Sequence, residues 1–157
     1  MDPATRLVNH YLKYDKGWFS HSDVSVGSGQ DVGLLAVDPA TVQRYQVEVE
    51  LGRGPLDETT PARASEWLQK RFGGTERDQA LMQFGYSPRS STRILVTRHM
   101  SKSFAETAAK LGVEIWIFSD IAEALRKALR SRVAGADAEG RLLQMLIYPP
   151  KSASPPE

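Results

Sequence analysis

Cysteine is absent from all 157 residues, which excludes disulfides, thiolate nucleophiles and thiolate zinc sites. Histidine is scarce, and His10, His21 and His99 are too scattered to match any zinc-binding spacing. No apolar run nears the roughly 20 residues needed to cross a bilayer, and no stretch reads as a signal peptide. A cytoplasmic location with no membrane partner is therefore expected. The glycines around 27–33 lack both the spacing and the lysine of a phosphate-binding loop, and no Rossmann glycine series opens a helix. No serine or cysteine nucleophile constellation is present. Nor does one sign of charge dominate, with 20 Lys/Arg against 19 Asp/Glu.

That balance conceals a gradient. Residues 1–60 hold five Lys/Arg and nine Asp/Glu, whereas residues 61–157 hold fifteen and ten. An acidic first part beside a more basic second part suits a polyanion next to a cation site, although the excess is modest and ordinary surface charge explains it as well. The 41% hydrophobic fraction is that of a globular chain, and this length supports one core. A single domain over 1–148 is expected, followed by a flexible Pro/Ser-rich tail over 149–157.

Periodicity gives the order of elements. Asp2-Pro3 starts a helix with Leu7, Val8, Tyr11 and Leu12 on one stripe, broken at Gly17. Residues 18–26 read as a strand, Gly27-Ser28-Gly29 as a turn, and 31–37 as a nearly all-apolar strand inside a sheet. A turn at 38–41 leads to a strand over 44–51, with Tyr45, Val47, Val49 and Leu51 on one face and Gln46, Glu48 and Glu50 on the other. Thr60-Pro61 opens a helix carrying Ala64, Trp67, Leu68 and Phe72, stopped by Gly73-Gly74. Thr75 and Asp78 resemble a capping box for a short helix over 76–84. Residues 93–97 and 113–118 read as buried strands. Each is followed by a helix, with boxes expected at Ser103/Glu106 and Asp120/Glu123. Strand-helix-strand links this short imply parallel strands with right-handed crossovers. Residues 142–148 read as a last edge strand. The fold class is α/β, a mixed sheet with an antiparallel N-terminal meander and parallel C-terminal strands flanked by helices.

The chemistry gathers on the second and third strands. Glu48 and Glu50 are two apart on one face, roughly 6.5–7 Å along the chain. A hairpin would bring Asp31 to the same end of the sheet. Three carboxylates on rigid backbone repel one another unless a cation relieves them, and Mg2+ (or Mn2+) is the simplest choice, with the Val49 carbonyl as a further ligand. On this reading Glu48→Ala relieves repulsion and leaves the fold intact or slightly more stable. The plainer account of Glu-x-Glu is a wet face of a half-exposed sheet.

The order helix, three-stranded meander, helix, strand, with Asp31 on the second strand and Glu48-Val49-Glu50 on the third, resembles the PD-(D/E)XK nuclease superfamily. That group includes restriction-endonuclease-like and Holliday-junction-resolvase-like enzymes. The resemblance covers residues 3 to about 98 and lies more in element order than in letters. It implies a metal-dependent endonuclease acting on DNA, with Asp31 and Glu48 as metal ligands and Glu50 where the family usually carries the water-activating lysine. The Pro of the motif is replaced by Gln30. The alternative is a catalytically inactive nuclease-fold module acting in nucleic-acid or protein binding. A homodimer would suit a duplex substrate.

Several cations could complete such a site. Lys70, beside Gln69 on the helix after the third strand, is the candidate for the missing catalytic cation. With Arg71 it also makes an ordinary solvated helix end favoured by the dipole. His21 could face the carboxylates as base or phosphate contact, or be a plain surface residue. Arg53, Arg71, Arg89 and Arg93 are candidate nucleic-acid contacts. Of these, Arg53 lies in a glycine turn, while Arg89 and Arg93 flank a loop with Phe84 and Tyr86 that could stack on a base or close the core. Trp18, Trp67 and Trp116 read as packing residues.

Overall fold

The computed structural model describes residues 2–22, 24–25, 31–52, 60–87 and 90–131, with backbone alone at Ser25, Asp31 and Ser131. Helix α1 (Pro3–Tyr11) starts as its sequence dictates: Asp2 accepts the amides of Ala4 at 2.9 Å and Thr5 at 3.1 Å. It widens into a π-helical turn over Leu12–Lys16, which Gly17 closes in the left-handed conformation at φ 70°. The amide of Trp18 then reaches back to the Leu12 carbonyl at 2.9 Å.

The following elements are β1 (Phe19–His21), β2 (Val24–Ser25), β3 (Asp31–Val32), β4 (Leu34–Val37), β5 (Arg44–Glu50), α2 (Pro61–Phe72) and α3 (Thr75–Gln83). After them come β6 (Ser91–Thr97), α4 (Lys102–Lys110), β7 (Val113–Ile117) and α5 (Phe118–Ser131). The main sheet has the order β1-β4-β5-β6-β7, antiparallel from β1 to β5 and parallel from β5 to β7. This is the expected mixed sheet. The apolar run 34–37 is internal to it, as its composition requires.

Local departures have local causes. The expected strands over 18–26 and 31–37 are each divided, and β2 and β3 pair with each other in a separate two-stranded sheet. The second division falls at Gly33, where an added Cβ would collide with the Val47 carbonyl oxygen and lie 3.3 Å from the Glu48 carboxyl carbon. Backbone passes too close there for any side chain. Helix α4 is capped by Ser101, whose hydroxyl accepts the Phe104 amide at 3.2 Å, because Ser103 already lies inside the helix. Helix α3 begins at Thr75 itself, directly after Gly74, so the Thr75–Asp78 box does not form. Helix α5 follows β7 without a loop. The turn at 27–29, the strand expected over 142–148 and the tail over 149–157 lie outside the described residues.

Alternation along the strands sends side chains to two covered faces. On one, Leu34, Ala36, Val47, Ile94 and Val96 meet Val8 and Leu12 together with Ile121, Leu125 and Leu129 of α5. On the other, Leu95 and Val113 pack under α2 and α4 through Ala64, Leu68, Phe72, Phe104 and Ala108. Further along this second face, Leu35 packs with Val24, Val32, Leu81 of α3 and Tyr86. Strand β5 runs between these last two clusters, since β4 supplies Leu35 and β6 supplies Leu95. Its side chains on that face are Arg44, Gln46, Glu48 and Glu50, a polar row whose middle members Gln46 and Glu48 are buried while Arg44 and Glu50 are half-buried.

Candidate functional site

The centre of that row is Glu48, only 2% exposed. Helix α2 ends and α3 begins at Gly73-Gly74, and this corner brings one arginine from each helix over β5. Arg71 Nε lies 3.0 Å from Glu48 Oε2, a charge contact without an aligned N–H. Arg77, itself buried, donates from its guanidinium to Glu48 Oε1. The Gly33 amide donates to the same oxygen at 3.1 Å. Arg71 also donates to the Val49 carbonyl at 3.5 Å and sits over the Trp67 ring at 6.0 Å. Both oxygens of one buried carboxylate are thus engaged by two guanidinium groups and a backbone amide.

Such a carboxylate does not fit a magnesium ion as it stands. Its oxygens have cationic partners, the Val49 carbonyl accepts from Arg71, and an incoming dication would meet two guanidinium groups within contact distance. The charge of Glu48 is balanced here by arginine.

The other expected residues are distributed as follows. Glu50 shares the face of Glu48, as the alternation predicts, but its Oε1 accepts the Gly52 amide at 3.0 Å. Asp31 belongs to β3, opposite Ser25 of β2. The β4–β5 ladder ends at Leu34 and Val47, so Asp31 is outside the hairpin register that would set it against Glu50. Its side chain lies outside the described residues. Lys70 is exposed on α2 beside Gln69, which donates to Ser65 at 3.4 Å. His21 is exposed on β1, its ring 5.8 Å from that of Phe84. Arg93 is half-buried on β6, across from Gln46. Arg53 and Arg89 lie outside the described residues. Among the described residues, no three His, Cys, Asp or Glu side chains group so as to hold a metal ion.

Arg77 is the residue that sequence reasoning missed. Its signal was positional, because Arg77 and the buried Leu81 are four apart and so share one face of α3. An arginine aligned with a core leucine needs a buried acceptor, and Glu48 is that acceptor. Gln46, also buried, donates to the Ser91 hydroxyl at 2.6 Å.

No protein-family model matches the chain, and no curated protein is detectably similar to it. Among solved structures it is similar to AF1548, described as a protein of unknown function, with a TM-score of 0.55 and 14% sequence identity. The similarity covers 92% of this chain and 77% of AF1548. At that identity the likeness concerns the fold alone. The fold is an α/β restriction-endonuclease-like architecture, a mixed sheet with helices on both faces.

Proposed function

We propose that this chain is a catalytically silent nuclease-fold module that binds nucleic acid without cutting it. The observation that carries this reading is the engagement of Glu48 by Arg71, Arg77 and the Gly33 amide. The glutamate best placed to be a metal ligand is held as a structural anion. Binding is supported by charge: α2, α4 and the end of β6 expose Arg63, Lys70, Arg98, Lys102 and Lys110 against Glu66 and Glu106. Helices α2 and α4 cover the face that holds Glu48 together with α3, which exposes Glu76. Exposed cations of this kind contact phosphates and release counterions, so affinity should fall steeply with salt.

The test is a duplex-binding titration by fluorescence anisotropy, with and without magnesium, at two salt concentrations. The reading expects salt-sensitive, magnesium-independent binding, weakened by Arg63→Ala combined with Lys70→Ala, and no cleavage. Magnesium-dependent cleavage would refute the silent half, and an absence of binding at low salt would refute the nucleic-acid half, leaving a protein partner as the alternative.

A further inference from the structure

On the opposite side of the sheet, four aromatic rings meet where the π-helical turn approaches β5 and β7. Trp18 stacks on Tyr45 with centroids 4.0 Å apart and planes 15° from parallel. Trp116 lies 6.0 Å from Trp18 and stands edge-on to Tyr11 at 5.9 Å. The Lys16 ammonium is over two of these rings, 5.6 Å from the Tyr11 centroid and 5.9 Å from that of Trp116. Tyr11 is buried at 8% exposure, Trp18, Tyr45 and Trp116 are half-buried and Lys16 is exposed, so the cluster meets solvent along one edge, where a cation already lies beside it.

The electrostatics favour a cation here. Aromatic faces carry negative potential. Tyr45 also has its hydroxyl pKa raised, by burial first and then by the carboxylates of Asp38 and Glu114, with Lys16 acting in the opposite sense. A phosphate chain would meet those carboxylates, which argues against a nucleobase-stacking platform. Backbone geometry fixes the arrangement: the π-helical turn, the left-handed Gly17 and the Trp18–Leu12 hydrogen bond set Lys16 and Trp18 on either side of one turn. Widened turns of this kind recur at functional sites.

We propose that Tyr11, Trp18, Tyr45 and Trp116 form a binding site for methylated ammonium groups, with Lys16 as its occupant in the free protein. The Lys16 distances are near the roughly 6 Å outer limit of cation–π attraction, so its hold is weak. A methylated ammonium is less hydrated than a primary one and can press closer to the rings. The proposal concerns a different face from Glu48 and is independent of how that residue is read.

The experiment is a tryptophan-fluorescence titration with trimethyllysine at constant ionic strength, using wild type and Lys16→Ala. A neutral tert-butyl isostere serves as control. Trimethyllysine is expected to saturate the signal, with Lys16→Ala binding about twofold more tightly because a site filled about half the time by Lys16 is then free. The isostere is expected to leave the signal unchanged. Trp116→Leu, checked for folding by circular dichroism, is expected to lose the response. Equal affinity in wild type and Lys16→Ala would overturn the proposal, as would equal saturation by the isostere. A dT oligonucleotide saturating the same signal would overturn it in favour of base stacking.

Discussion

Arg77 and Glu48 meet inside the protein as a charge pair whose side chains are 9% and 3% exposed. A pair so enclosed is compensated only while both members are present. Glu48→Ala should therefore destabilise the protein, by about 3–5 kcal/mol, the usual cost of leaving a buried partner uncompensated. This reverses the expectation drawn from the sequence, where the glutamate was set against other carboxylates. Arg77→Met should cost a similar amount. The double variant should cost clearly less than the sum, since it removes both charges. Urea melts of the four proteins give the coupling directly. Additive losses would show that the pair does not interact.

Arg71 contacts the same carboxylate from a more open position, its side chain 39% exposed. Solvent screening reduces such a contact to about 1 kcal/mol or less. Arg71→Ala should thus lower stability much less than Arg77→Met, with most of its effect removed by high salt. Equal losses for the two would mean that Arg71 is effectively buried.

Gly33 is the point where the chain presses on β5. Gly33→Ala should destabilise by about 1–3 kcal/mol through overpacking against backbone, because a Cβ there has the Val47 carbonyl in its path. At this chain length the change corresponds to a fall of roughly 2–4 °C in melting temperature per kcal/mol. An unchanged melt would show that β3 and β4 can separate at no cost.

The β4–β5 loop contains a strained residue. Val42 is in the left-handed region at φ 60°, its amide bonded to the Asp38 carbonyl at 2.8 Å. A β-branched side chain is disfavoured there by about 1–2 kcal/mol. Since Val42 is exposed, Val42→Asn should raise the melting temperature without disturbing packing. A fall would place the side chain in a contact that offsets the strain.

The first helix gives a pH signature. Burial alone would raise the Asp2 carboxyl pKa, but hydrogen bonds from the Thr5 side chain and the Thr5 and Ala4 amides lower it overall. A pKa lower in the folded state contributes stability above the unfolded value, near 3.9, which is lost as pH falls through the folded value. Asp2→Ala should cost about 1 kcal/mol at neutral pH. The gap should close under acid conditions as the wild-type carboxyl protonates. A gap independent of pH would mean that the cap does not act through its charge.

Much of the fold was legible because its signals are local. The alternation in residues 44–50, the apolar run at 34–37 and the glycine stops at 17 and 73–74 each specify an element without reference to partners. The strand-helix-strand spacing then fixes the parallel half. The state of Glu48 was not legible in the same way. Two glutamates on one strand face read alike whether that face is wet, metal-bound or roofed by helices. What decides is the corner at Gly73-Gly74, which swings Arg71 and Arg77 onto β5 from 23 and 29 residues further along. Only the i, i+4 match of Arg77 with Leu81 hinted at it. Gly33 was similar: its effect on β3 depends on a close approach from β5 that no local pattern encodes.

The central claim is that arginine, not a metal ion, neutralises Glu48, and thermal melts in millimolar Mg2+ or Mn2+ against ionic-strength-matched sodium test it most directly. The account predicts one melting temperature in all three salts. A saturable rise with either divalent ion, lost in Glu48→Gln, would contradict it.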